Sequence, residues 1–103
     1  MFGDIVLCEF PFTSGASSKV RPALELFDLT DDVIICRVTS IPYDGPNDVA
    51  IAQWAEAGLL KPSVIRLDRL ITAEKQIVIR KLGALTESDR EAIRDAWNNK
   101  MRL

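Results

Sequence analysis

Arg21, Thr39, Arg66 and Asp68 are the residues whose types and settings could do chemistry. Arg21 stands in Ser17-Ser18-Lys19-Val20-Arg21-Pro22-Ala23-Leu24, where a polar loop gives way to an apolar strand. A residue before proline is pushed to extended backbone, and proline fixes the chain that follows it. The guanidinium is then either solvated at a strand end or a stiffly mounted anion binder beside Ser17, Ser18 and Lys19. Arg66 and Asp68 lie two apart in Val64-Ile65-Arg66-Leu67-Asp68-Arg69-Leu70. They share one side of a strand, about 7 Å apart by the rise per residue. Such a pair either makes a surface ion pair, which adds little stability, or grips one ligand group between its members. Thr39 shares a strand face with Arg37, and a solvated sheet face accounts for both.

The rest of the composition narrows the chemistry. The chain has 103 residues and no histidine, which removes the commonest general base and the commonest zinc ligand. Cys8 and Cys36 both sit in apolar runs and read as buried small hydrophobes rather than as ligands or a disulfide. Neither a GxxxxGK[ST] loop nor a GxGxxG fingerprint is present, and no metal-ligand cluster stands out, so a mechanism free of metal and cofactor is expected. A net charge of −2 excludes a globally basic nucleic-acid binder but leaves room for a local basic face. No apolar run approaches a membrane span, and Met1-Phe2-Gly3-Asp4 lacks the features of a secretion signal. The expected location is the cytoplasm.

The elements that must position these residues are short. Residues 4–10, 20–27, 33–41, 63–72 and 76–84 read as strands, with Pro22 confined to the start or edge of its strand. In the third, Ile34, Cys36 and Val38 are expected to face the core. Residues 12–19 and 42–48 are loops by composition, and 51–58 show a short helix-like spacing that Gly58 stops. Thr86-Glu87-Ser88-Asp89 predicts a helix start, and the helix to about residue 100 should bury Ala92, Ile93, Ala96 and Trp97. Several strands without long crossover helices, plus one terminal helix, imply a small closed β-structure with a helix packed on it. One domain over residues 1–103 is expected.

Together these segments resemble a known family. Gly3-Asp4-Ile5-Val6 opens the chain, and Phe10-Pro11-Phe12-Thr13 leads to Arg21-Pro22-Ala23-Leu24. Val38-Thr39-Ser40, Trp54-Ala55-Glu56-Ala57-Gly58-Leu59, Pro62-Ser63-Val64-Ile65-Arg66-Leu67-Asp68 and Lys81-Leu82-Gly83-Ala84-Leu85 follow in order. The ordered set is similar to the PemK/MazF toxins of type II toxin–antitoxin modules. The resemblance implies an SH3-like β-barrel with a C-terminal helix, usually a homodimer. It implies a metal-independent endoribonuclease cutting single-stranded mRNA, and a cognate antitoxin whose flexible segment covers the RNA groove.

On that resemblance, Arg21 falls on the family's catalytic Arg-Pro arginine and Thr39 on the hydroxyl residue closing the third strand. Arg66 and Asp68 fall on an Arg-x-Asp pair used by some members. The expected reaction is attack of the RNA 2′-hydroxyl on the neighbouring phosphate, giving a 2′,3′-cyclic phosphate. Asp68 would be the base, Arg21 and Arg66 would stabilise the anionic phosphorane, and Thr39 would donate a hydrogen bond. Ser18, Lys19 and Ser40 would hold flanking phosphates, and Phe12 and Tyr43 would offer stacking surfaces. Two other readings stay open: a CcdB-like toxin that binds DNA gyrase without catalysis, and an inactive member acting as a binding module.

Overall fold

The structure is a computed structural model that describes residues 1–11 and 18–103. Phe12 and Ser17 lie outside the described residues. Among the described residues six strands run in chain order: β1 (Asp4–Pro11), β2 (Ser18–Asp28), β3 (Asp32–Thr39), β4 (Asp48–Ala50), β5 (Val64–Glu74) and β6 (Val78–Ala84). A 3₁₀ turn, Lys75–Ile77, joins the last two, and the helix α1 (Glu87–Lys100) follows. All the pairings are antiparallel, in the order β4-β5-β3-β2-β1-β6. Among the described residues no helix is long and apolar enough to cross a membrane.

The apolar alternation of the strands divides the core between the two sheet faces. Ile5, Leu24, Cys36, Val38, Ile65 and Leu67 point to the face covered by Ile93 and Ala96 of α1. Each fully buried leucine or isoleucine there contributes about 2 kcal/mol. Val6, Cys8, Ala23, Val33 and Ile35 make a smaller cluster, with Phe10, Ile77 and Val78 packed against it. Cys8 and Cys36 therefore lie in different clusters, free and buried. Burial raises the thiols to about 11 for Cys8, assisted by the charge of Glu25, and to about 12 for Cys36. Both stay protonated and unreactive at neutral pH.

Four expectations need correction. Ile35 is fully buried and Ile34 only half-buried, because both faces of β3 are covered. Thr39 is likewise buried, at 9 % exposure. Ala92 is exposed, and Asp89 takes the place on the inner face of α1 that Ala92 was expected to fill. Residues 51–58 form successive turns rather than a helix. The fourth is the barrel, which does not close by hydrogen bonding: β4 and β6 are the two ends of the sheet. β4 does not pair with β6. The turn segment after it bridges the gap instead, bringing the Ala57–Gly58 backbone against Leu82–Gly83 of β6. A Cβ on Gly58 would stand 2.3 Å from the Leu82 carbonyl oxygen, and one on Gly83 would stand 2.4 Å from that of Ala57. The seam is thus two glycine backbones in contact, which side chains would hold apart.

α1 ties that bridging segment down. Thr86 caps the helix by accepting from the Asp89 N–H at 3.4 Å. The Asp89 carboxylate, buried at 5 % exposure, does not reach back to the cap backbone as in a capping box. It accepts from the N–H groups of Ala52 and Gln53 at 3.0 and 2.9 Å. Two charge-assisted bonds thereby fix the chain just before Trp54.

Candidate functional site

β2 and β3 part company at Pro22. Their ladder begins at Ala23↔Arg37, whereas β1 stays paired along β2 through Leu7↔Pro22 and Cys8↔Arg21. Proline has no N–H to offer a second neighbour, so the ladder to β3 stops where it stands. Beyond that point β3 pairs with β5 alone, through Val38↔Ile65 and Thr39↔Val64. The splayed strands open a cleft of about 780 Å³ whose lining includes Val20, Arg21 and Pro22 on one side and Arg37, Val38, Thr39 and Ser40 on the other. Leu59, Leu60 and Lys61 from the bridging segment, and Arg80 and Leu82 from β6, complete it.

The cleft carries one sign of charge. Its lining includes Arg21, Arg37, Lys61 and Arg80 and no carboxylate. Among the described residues none of these four is in an ion pair, whereas Arg66, Lys75, Lys81, Arg90 and Arg94 each hold a carboxylate. Lining cations without internal counter-ions, in a chain of net charge −2, make a locally positive surface. The local basic face that the net charge left open is here.

Arg21 is exposed, and its guanidinium makes one long bond, from Nη1 to the Val20 carbonyl at 3.4 Å. Most of its donors are open to a ligand. The Thr39 Oγ1 accepts from the Ile41 N–H at 3.2 Å, a local turn that ends β3. That contact fixes the hydroxyl and leaves its own proton to donate. The Ser63 hydroxyl donates to the Lys61 carbonyl at 2.9 Å and fixes the backbone that carries the lysine. Ser40 lines the cleft beside Thr39. Ser18 and Lys19, at the start of β2 opposite Pro11 and Phe10, are exposed and do not line it.

Arg66 and Asp68 do not line the cleft either. Arg66 Nε donates to Asp48 Oδ1 at 3.0 Å, and its guanidinium lies 3.6 Å from the centre of the Tyr43 ring. The Asp48 Oδ2 in turn accepts from the Gly45 N–H at 2.8 Å. This cluster clamps residues 43–48 onto β5 and occupies one face of Tyr43 that a base would need. The expected Arg66–Asp68 pairing is replaced by a cross-strand one, because Asp48 stands directly opposite Arg66 on β4. Asp68 is exposed.

Burial works to raise the Asp48 carboxyl, but the Arg66 hydrogen bond, the Gly45 N–H and the arginine charges outweigh it and hold it below the usual range. A depressed carboxyl contributes stability that is present above its unfolded pKa and is lost as pH falls through the folded value. Arg66→Met removes the counter-charge and leaves the burial. The expected outcome is lower stability than wild type at neutral pH, read by urea unfolding, with the deficit shrinking as pH falls and Asp48 takes up a proton. A pH-independent difference, or none, would mean that the pair is idle.

Three of the four cleft cations, Arg37, Lys61 and Arg80, were missed as site residues. Arg37 was visible as a polar residue on a strand face. Lys61 and Arg80 carry no local signal, since only the fold brings them to Arg21.

A family model for the PemK-like, MazF-like toxins of type II toxin–antitoxin systems matches residues 1–99. No curated protein matches the chain. Among solved structures it is similar to an endoribonuclease in complex with its cognate antitoxin from a mycobacterial species, with TM-score 0.75 and 21 % identity over 98 % of this chain and 93 % of that one. It is also similar to the Mycobacterium tuberculosis toxin MazF-mt6, with TM-score 0.77 and 24 % identity over 93 % of each chain. These likenesses carry the fold, a mostly β structure with one C-terminal helix. With a family match across nearly its whole length, the chain belongs to the PemK-like, MazF-like toxins of type II toxin–antitoxin systems.

Proposed function

We propose that the protein is an endoribonuclease that cleaves single-stranded mRNA in the cleft between β2 and β3 without a metal ion. The observation that carries this reading is the cleft lining: Arg21, Arg37, Lys61 and Arg80 with no carboxylate, around a fixed hydroxyl on Thr39. A phosphodiester brings negative charge, and more develops on its oxygens in the phosphorane. Guanidinium and hydroxyl donors already in place stabilise that charge more than they stabilise the ground state. Protein binding alone, as in a gyrase-directed toxin, calls for no such arrangement.

The RNA supplies the nucleophile. Its 2′-oxygen attacks phosphorus as the 2′-hydroxyl proton leaves to solvent. The P–O5′ bond then breaks, and the 5′-oxygen takes a proton from solvent. The products are a 2′,3′-cyclic phosphate and a 5′-hydroxyl. Arg21 holds the non-bridging oxygens, Thr39 donates to one of them, and Ser40, Lys61 and Arg80 hold flanking phosphates. Among the described residues the cleft lining presents no carboxylate, imidazole or thiol, and on this reading charge neutralisation falls to the arginines. Asp68 stands outside the cleft and is assigned no proton, so Asp68→Asn should cleave within a factor of about three of wild type.

The protein is further read as cytoplasmic, as a homodimer, and as held inactive by a cognate antitoxin, for which the mycobacterial toxin–antitoxin complex is the support. Incubation of purified protein with a defined single-stranded RNA in excess chelator is the direct test. Discrete fragments are expected; intact RNA under these conditions, with cleavage on adding magnesium, would overturn the metal-free scheme.

A further inference from the structure

A second cleft of about 500 Å³ opens beside the first. The two share Ser40, Lys61 and Ser63 in their linings, so Lys61 stands on the saddle between them. Their chemistry differs. Among the described residues, the first has four cations and no aromatic residue in its lining. The second, among the same residues, has Lys61 as its one cation, Trp54 as its one aromatic residue, and Pro42, Pro62 and Val64 as further apolar surface. Its volume falls in the range of small-molecule sites.

We infer that this second cleft is a nucleobase subsite in which Trp54 stacks a base flanking the scissile phosphate; the inference rests on the ribonuclease reading above. The first cleft can neutralise phosphates but has no described ring on which to hold a base. A strand leaving it over Lys61 enters a pocket with the opposite balance: a flat aromatic surface, little charge, and hydroxyls from Ser40 and Ser63 at the entrance. Base–aromatic stacking serves single-stranded RNA in this way, and the shape and donors around the ring decide which base is kept.

Trp54 is mounted for the role. It is half-buried and packed against the main core. The chain just before it is held by the two Asp89 bonds, and the Trp54 carbonyl accepts from the Leu59 N–H at 3.1 Å. Its ring therefore loses little freedom when a base is added, which favours binding.

The test uses a short single-stranded RNA made uncleavable by 2′-O-methylation, and a scan in which each base in turn is removed to leave an abasic sugar. Tryptophan emission is followed in a Trp97→Phe protein, where Trp54 is the remaining indole. Saturable quenching that disappears at one abasic position, with binding about tenfold weaker there, is expected. Trp54→Ala in the otherwise wild-type protein should flatten the scan and relax cleavage preference at that position, while Trp54→Phe restores both. Full-affinity binding with unchanged Trp54 emission, or a flat scan in the wild type, overturns the subsite and leaves the ribonuclease reading standing. Absence of any RNA binding or cleavage overturns both.

Discussion

Arg21→Ala is expected to leave the protein folded and to lower RNA cleavage by about two to three orders of magnitude. The fold should tolerate it because the Arg21 side chain is exposed and contributes one long bond to its neighbour's carbonyl. The rate should not, because the guanidinium is the cleft cation that immediately precedes Pro22, where the β2–β3 ladder ends, and it lines the same cleft as Thr39. Arg21→Lys keeps the charge but loses the planar fork, so it should recover only part of the activity. The measurement is single-turnover cleavage of a labelled RNA, with circular dichroism as the folding control. Arg21→Ala cleaving at the wild-type rate would remove the residue from the site. The loss should appear in the chemical step rather than in binding, since on the proposed reading Lys61 and Arg80 would still hold the flanking phosphates.

The largest stability effect is expected at the seam between the bridging segment and β6. Gly58 has φ +89°, a conformation that costs other residues about 1–2 kcal/mol, and its Cβ would sit 2.3 Å from a main-chain oxygen. A backbone carbonyl cannot swing aside as a side chain can. Gly58→Ala must therefore lift Ala57 and Leu59 away from the core they complete. The expected cost is about 4 kcal/mol, a fall in Tm on the order of 20 °C for a domain of this size. Gly83→Ala should behave alike without the φ penalty, by overlap with the Ala57 carbonyl. Thermal and urea unfolding measure both. A Gly58→Ala protein within about 1 kcal/mol of wild type would mean that the seam is loose. Gly58 and Leu59 also line the cleft, so the same substitution should impair cleavage in whatever protein remains folded.

Five strands and the helix were legible because apolar alternation and the Thr86 cap are local signals. β4 was not: Asp48-Val49-Ala50 is too short to show a period, and it exists because β5 offers it an edge. The spacing of Ile51, Trp54 and Ala55 suggested a helix. Close approach to β6 and the Gly58 turn, both tertiary effects, impose turns instead. Closure of the barrel was expected from strand count, but the way the gap is spanned depends on two glycines 25 residues apart meeting in space.

The site divides along the same line. Arg21 and Thr39 were legible as a charge before proline and a hydroxyl at a strand end, and the fold brings them to one cleft. Arg66 and Asp68 were two apart and suggested each other, yet the partner of Arg66 is Asp48, 18 residues away. Lys61 and Arg80 join the cleft from separate elements, which no spacing along the chain records. The proline in Arg21-Pro22 proved informative in a way its position alone did not suggest: by ending the β2–β3 ladder it creates the opening that the arginine lines.

End-group analysis of the RNA fragments, made in excess chelator and read by mass spectrometry, separates attack by the RNA from attack by water. The 2′-hydroxyl mechanism predicts a 2′,3′-cyclic phosphate on the upstream fragment and a 5′-hydroxyl on the downstream one, both absent with Arg21→Ala. A 3′-hydroxyl paired with a 5′-phosphate would contradict it, because the attacking oxygen would then have come from water and not from the RNA.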